Sequence, residues 1–265
     1  MRIAGKVFLL TGAGSGMGRE MAHQLIAKGA KVAALDIHLP QLLETKQICS
    51  ADDANFLTLE VDISNRAAVL ALPDQVIAHF GHVDGIINNA GIIQPFVRVN
   101  ELSFDAIERV MDVNFFGSVA VVKAFLPHLL ARPEAHIVNI SSMGGFLPVP
   151  GQSIYGASKA AIKLFSEGLY AELKDTAVRV TVVFPGAIAT NITGNSGVEV
   201  PSTSGSSGMG ALPATDAARV ILVGMENNQF HVFVGSDSKF MDILCRIAPE
   251  FATNFIRKKM KALLG

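Results

Sequence analysis

The sequence predicts an α/β protein built on a doubly wound parallel sheet of about seven strands with helices on both faces. Three observations carry this expectation. Short runs rich in Val, Ile and Leu alternate with longer stretches of helical period along the chain. Most of those runs end in or just before Gly, Asp or Asn, as strands do when they open into loops. Half of the 265 residues are hydrophobic, enough to cover both faces of a buried sheet. Apolar strands separated by helix-length segments argue for right-handed βαβ units. The length suits one domain spanning residues 1–265, and no internal repeat of fixed period is visible.

The elements follow in order. A first apolar strand over residues 6–11 runs into a glycine-rich turn, and a helix is expected at 16–28. A second strand at 31–36 closes on Asp36 and precedes a helix at 39–48. Strands at 55–60 and 85–88 flank a helix at 65–79. A long helix at 104–130 leads to a strand at 136–141, and one at 153–175 leads to a strand at 179–184. A helix at 214–225 and a strand at 231–234 complete the alternation.

Two segments break the pattern. Residues 193–210 are rich in Gly and Ser and nearly uncharged, so a mobile substrate loop is expected over 191–212. The tail, 238–265, is expected to be a helical extension. Phe251, Phe255, Ile256, Met260, Leu263 and Leu264 fall near one face of its end, opposite Asn254, Arg257, Lys258 and Lys261.

Composition narrows the function classes. A formal charge of −1 without a dense basic stripe argues against nucleic-acid binding. Cys49 and Cys245 lie far apart and form no CxxC pair, so neither a disulfide framework nor a metal site is indicated. The N-terminal apolar run is too short for a secretory signal, and no uninterrupted apolar run reaches the ~18 residues of a membrane span. A soluble, cytoplasmic protein is the expectation.

The turn after the first strand reads Thr11-Gly12-Ala13-Gly14-Ser15-Gly16-Met17-Gly18. Between a strand and a helix, such a loop offers free backbone N–H groups and a favourable dipole to phosphate oxygens. Glycine there permits a tight turn and close approach to a pyrophosphate. Asp36 ends the second strand about twenty residues on, where an acid accepts hydrogen bonds from an adenosine ribose. An acid at this place repels a 2′-phosphate, and no Arg directly follows it, so NAD is favoured over NADP.

Exchanging a hydride with an alcohol also requires a proton donor and acceptor. Tyr155 and Lys159 stand four residues apart in a helical segment, one turn apart on one face. A neighbouring ammonium and a positive nicotinamide would favour the phenolate and lower the tyrosine pKa. Ser142 follows the strand at 136–141, at the strand end where ligands bind in open α/β sheets. Taken singly, each of these residues has a plain packing or capping explanation.

Together they resemble the short-chain dehydrogenase/reductase family over residues 3–235. Thr11–Gly18 is similar to its glycine loop, Asn88-Asn89-Ala90-Gly91 to its N-N-A-G segment, and Pro185-Gly186 with Thr190 to its P-G-x-x-x-T segment. The resemblance implies a Rossmann-like fold and a catalytic set of Asn114, Ser142, Tyr155 and Lys159. In it Tyr155 is the general acid/base, and Lys159 binds the nicotinamide ribose and tunes the tyrosine. Ser142 orients the substrate oxygen, and Asn114 supports a water-linked proton path. The implied cofactor contacts are Gly12, Gly14, Ser15, Gly16, Met17, Gly18 and Asp36 on the glycine-loop side. Asp62 and Ile63 flank the adenine, Asn89, Ala90 and Gly91 pack along the cofactor, and Pro185, Gly186, Ile188 and Thr190 lie toward the carboxamide.

The resulting expectation is an NAD-dependent oxidoreductase acting on a secondary alcohol or ketone. The apolar candidate walls near 93–97 and 143–149 suggest a hydrophobic substrate. Two alternatives stay open: a non-catalytic dinucleotide-binding regulatory protein, and an epimerase or dehydratase with recycled NAD. Family members usually pair through the two long helices, so a homodimer or homotetramer is expected. The basic amphipathic tail could cover the protein's own core, meet a neighbouring subunit or rest on a membrane surface.

Overall fold

The computed structural model describes residues 1–198 and 210–261. Seven parallel strands form one sheet in the order β3-β2-β1-β4-β5-β6-β9. They are β1 (Val7–Thr11), β2 (Lys31–Asp36), β3 (Phe56–Glu60), β4 (Gly85–Asn88), β5 (Ala135–Ile140), β6 (Val178–Pro185) and β9 (His231–Val234). Every residue of β1, β4 and β5 is buried, which is why these strands are mostly apolar, with His136 and Asn139 of β5 as buried polar exceptions.

Alternation along each strand divides the core in two. Phe8 and Leu10 face a layer containing Met21 and Leu25 of α1 (Gly16–Ala27) and Ile221 and Leu222 of α9 (Ala214–Glu226). Val7 and Leu9 face the other layer, with Val69 of α3 (Arg66–Leu70) and Val76 of α4 (Leu72–Phe80). That layer also holds Phe125 of α6 (Ser118–Leu130) and Leu169 of α7 (Ser153–Glu172). The strand order reverses between β1 and β4, and the crevice at their C-terminal ends is where such sheets bind ligands.

Several elements differ from expectation. The helix expected at 65–79 is two helices meeting at Ala71, because Pro73 suits the first turn of a new helix better than the middle of an old one. The helix expected at 104–130 contains a π-helical turn, Asp112–Gly117, between α5 (Phe104–Met111) and α6. That 27-residue stretch is long and apolar enough to cross a membrane, but Val121, Val122, Phe125 and Leu129 lie buried in the core.

Part of the expected loop at 191–212 is ordered structure. Strand β7 (Ile188–Ala189) pairs with β8 (Leu212–Pro213), and α8 (Ile192–Ser196) follows β7. Ser196 is buried there and accepts the Ile93 N–H at 3.0 Å. Residues 199–209, the rest of that expectation, lie outside the described residues. The tail folds as α10 (Ser236–Ile247) and α11 (Pro249–Lys259), with Leu263 and Leu264 outside the described residues. Its inner face is Ala252, Phe255 and Ile256, whereas Phe251 points outward.

The sheet also carries a buried histidine. His136 Nε2 donates to Thr181 Oγ1 at 2.8 Å, since that hydroxyl gives its own proton to the Gln229 carbonyl. Burial, then the positive N-terminus and Arg179, hold its pKa down at about 3. The unfolded chain therefore takes up a proton that the folded chain refuses. Stability is complete above the ordinary histidine value and declines as pH falls from about 6.5 toward 3, by up to about 1.4 kcal/mol per unit. His136→Leu is expected to flatten this part of the acid limb, measured as urea midpoint against pH. An unchanged limb would assign the acid sensitivity to other groups.

Candidate active site

The loop from Gly12 to Met17 joins β1 to α1. Gly12 and Gly16 have positive φ, 66° and 50°, a backbone that favours glycine. Ser15 stands at the helix N-cap without a side-chain cap bond, so the first N–H groups of α1 stay available for an anion. Its hydroxyl instead accepts from Asn195 Nδ2 at 2.7 Å.

The loop is tied to the segment after β4. Thr11 Oγ1 accepts the N–H groups of Asn89 and Ala90, both at 3.0 Å. Asn89 Nδ2 donates back to the carbonyls of Thr11 and Gly12 at 3.0 and 3.1 Å. A Cβ on Gly18 would overlap the Gly12 carbonyl oxygen, so Gly18 allows the helix to start against its own loop. Asp36 at the end of β2 accepts the Gly14 N–H at 2.9 Å and the His38 N–H at 3.2 Å.

A cavity of about 390 Å³ opens along this crevice. Of the residues singled out in the sequence, Gly12, Ser15, Gly16, Met17, Asp36, Asp62, Ile63, Asn89, Ala90, Gly91 and Thr190 line it. Gly14, Gly18, Pro185, Gly186 and Ile188 do not line it, nor do Asn114, Ser142, Tyr155 and Lys159. Gly14 contacts Asp36 closely, and Gly186 leaves room for Asp237, whose carboxylate accepts the Ala187 N–H at 2.9 Å. The free helix N–H groups and the strand-end carboxylate of the cavity suit the pyrophosphate and adenosine ribose of a dinucleotide.

Beyond Gly91 the proposed catalytic side chains converge. A Cβ on Gly91 would lie 3.0 Å from Lys159 Nζ and 3.3 Å from Asn114 Oδ1, so only glycine lets both approach the cavity wall. Asn114 sits in the π turn, a distortion frequent at functional sites. Its side chain clamps Ile92 from both sides, accepting the N–H at 2.8 Å and donating to the carbonyl at 2.9 Å, and also donates to Ser158 Oγ at 3.0 Å. Ser118 Oγ donates to the Asn114 carbonyl at 3.1 Å.

Lys159 is buried, and its Nζ donates to the Ile140 carbonyl at 3.0 Å and lies 5.9 Å from the Tyr155 ring centre. Desolvation lowers its pKa to about 8, which still leaves it cationic at neutral pH. Tyr155 runs against the sequence expectation. Burial raises its pKa, and hydrogen bonding with Ser142 opposes that only in part. Ser142 Oγ also accepts the Gly144 N–H at 3.0 Å.

One residue read in the sequence only as part of the apolar wall near 93–97 supports this arrangement as a cap. Gln152, at the N-cap of α7, makes no side-chain cap bond. Gln94, fully buried, takes over from a distant loop: its Oε1 accepts the N–H groups of Ile154 and Tyr155 at 2.8 and 3.0 Å. Its Nε2 donates to the Gly151 carbonyl at 3.0 Å, and Gln152 Nε2 donates to the Gln94 carbonyl at 2.8 Å. Gln94→Met leaves two buried donors of the Tyr155 helix without an acceptor and is expected to lower kcat about tenfold with nucleotide affinity retained. Gln94→Glu, protonated in this buried place, keeps the acceptor and can donate its O–H to the Gly151 carbonyl, and should recover most of the rate; equal loss in both variants would exclude the cap as the cause.

The cavity also takes in Arg109, Val113, Ile192 and Asn195. Val113 adjoins Asn114 in sequence, but Arg109, Ile192 and Asn195 carry no motif that could have marked them.

Comparison with known proteins agrees with this geometry. The family model described as short chain dehydrogenase matches residues 6–200. A Mycobacterium tuberculosis protein named SadH is 42% identical over 251 residues, covering 92% of this chain and 91% of its own length. A short chain dehydrogenase/reductase from Burkholderia phymatum, solved in complex with NAD, superposes with a TM-score of 0.86 at 29% identity over 95% of this chain and 96% of its own. A short chain dehydrogenase from Burkholderia cenocepacia, solved with NADP, gives 0.80 at 26% identity over 97% and 99%.

Proposed function

The chain belongs to the short-chain dehydrogenase/reductase family, and from that premise we propose an NAD-dependent enzyme that interconverts a hydrophobic secondary alcohol and its ketone, with Tyr155 as general acid/base. The observation that carries the proposal is the convergence of Ser142, Tyr155 and Lys159 at the cavity end marked by Gly91. Bound NAD supplies the hydride acceptor in oxidation and, reduced, the donor in the reverse reaction.

The chain's own residues handle binding and the proton. The first N–H groups of α1 hold the pyrophosphate, and Asp36 accepts from the adenosine ribose. Asp62 and Ile63 flank the adenine. Ser142 donates to the substrate oxygen, while Tyr155 Oη takes the hydroxyl proton in oxidation and returns it in reduction. Lys159 stabilises the phenolate and binds the nicotinamide ribose, and Asn114 fixes the Ile92 backbone beside the proton route.

The preference for NAD rests on Asp36, whose negative charge opposes a 2′-phosphate. Arg19, a cation on the same helix, is committed to the Gly14 carbonyl, Thr45 and Glu44, and does not line the cavity. The hydrophobic substrate is read from the apolar residues that follow Ser142 in the chain, Met143, Phe146 and Leu147. Exposed Phe116, Leu130 and Leu164, on the long helices, support pairing of two copies through that face.

The test is titration of NADH and NADPH separately into the wild type and Asp36→Ala, followed by an alcohol and ketone screen. NADH should bind more tightly, and Asp36→Ala should weaken it about tenfold, as loss of a charge-assisted hydrogen bond does. Binding of neither nucleotide would refute the proposal. Tight binding with no exchange of NADH into solution would favour a recycled cofactor or a regulatory role.

A further inference from the structure

We infer that the outer face of α10 and the first turn of α11 form a docking surface for an anionic lipid membrane. Phe240, Ile243 and Ile247 are spaced to share one face of α10 and are 58%, 50% and 79% exposed; Phe251, at the start of α11, is 61% exposed. These are large apolar side chains at neighbouring positions, a grouping that marks an interaction site where scattered exposed residues do not.

The hairpin beneath the stripe is firmly seated. Met241, Leu244 and Cys245 of α10 and Ala252, Phe255 and Ile256 of α11 pack together on Leu147, against Met143 and Phe146. Ser238 Oγ donates to the Phe184 carbonyl at 2.7 Å. The outward residues are therefore presented by an anchored element and have no place left in its core.

Charge selects the occupant. From Ser236 to Lys261 the chain carries six basic residues, Lys239, Arg246, Arg257, Lys258, Lys259 and Lys261, against three acidic ones in a protein of net charge −1. Asp237 accepts the Ala187 N–H and Asp242 pairs with Arg246, which leaves five basic residues against Glu250. Lys258 is two turns from Phe251 on the same face, and Lys259 Nζ lies 5.0 Å from the Phe255 ring centre. An exposed apolar stripe followed along the chain by a run of basic residues is the pattern of a helix resting in the headgroup region. Two copies meeting through this face would bring like charges together, whereas acidic headgroups would neutralise them. The hairpin's inner face touches the segment just after Ser142, so a membrane on its outer face lies one helix layer from the substrate side.

The experiment is co-sedimentation of the full chain with vesicles of phosphatidylcholine alone and of phosphatidylcholine containing phosphatidylglycerol. Binding should be about tenfold stronger with phosphatidylglycerol and should weaken as salt rises. Phe240→Asn/Ile247→Asn and Lys258→Glu/Lys261→Glu should each reduce it about tenfold. All four side chains are exposed, so the urea midpoint should stay at the wild-type value. No binding by the wild type, equal binding to both vesicles, or full binding by both variants would overturn the inference. So would loss of a self-association step in Phe240→Asn/Ile247→Asn from a wild type that ignores vesicles, which would assign the face to a second copy.

Discussion

Tyr155→Phe is expected to lower turnover about 10³-fold while leaving NADH affinity and the unfolding midpoint near wild type. The ring keeps its packing against Gly144, where a Cβ would stand 3.3 Å from Tyr155 Cε1. What disappears is the oxygen that receives the substrate proton. Ser142 does not replace it, because an aliphatic hydroxyl of far higher pKa is a poor base at neutral pH. Burial raises the Tyr155 pKa, so the wild-type rate of alcohol oxidation should climb with pH across the tyrosine's titration. The phenylalanine variant should lose that dependence. Steady-state oxidation of an alcohol from the screen, measured against pH, checks both statements. A variant retaining a tenth or so of the rate would remove Tyr155 from the chemistry.

Gly18→Ala is expected to weaken dinucleotide binding about a hundredfold, the upper range of overpacking costs expressed in the loop alone. A Cβ there overlaps the Gly12 carbonyl oxygen and meets Asn89 Nδ2 at 2.7 Å, so relief requires the loop and the segment after β4 to separate. Asn89 would then lose its bonds to Thr11 and Gly12, and the N–H groups facing the pyrophosphate would shift with them. Gly168→Ala is the matched control, since nothing lies within 4 Å of a Cβ there. Nucleotide titration decides the matter. Equal affinity in the two variants would show that the loop tolerates the methyl group and that Gly18 is not what sets its shape.

The parts of this fold legible in the sequence are those governed by short separations. Short apolar runs mark strands whether both faces are buried, as in β4 and the middle of β2, or alternate residues only, as in β9, and all three have the extents expected of them. Tyr155 and Lys159 are legible because one helical turn joins them, and the glycine loop because a strand and a helix bracket it. Long-range closure left no trace. Gln94 reaches its partners across some sixty residues, and Asn195 reaches Ser15 across 180. Such contacts depend on where the sheet order brings loops together, and neither glutamine nor asparagine is unusual in a loop. The π turn was equally hidden, since residues 104–130 keep a helical character throughout. Motif membership also concealed a division of labour. Gly16 borders the cavity, Gly12 both borders it and makes room for Asn89 and Ala90, and Gly14, Gly18 and Gly186 make room for neighbouring protein atoms.

The π turn at Asp112–Gly117 makes the long helix a periodic object with a phase slip. One surplus residue turns everything after it by about 100° relative to a regular helix. The face that α5 presents inward through Val110 is thus out of step with the one that α6 presents through Val121, Phe125 and Leu129. Removing a single residue between 112 and 117 would cancel the slip: the helix would become regular with both apolar faces where they are, and what would go is the turn that holds Asn114 against Ile92.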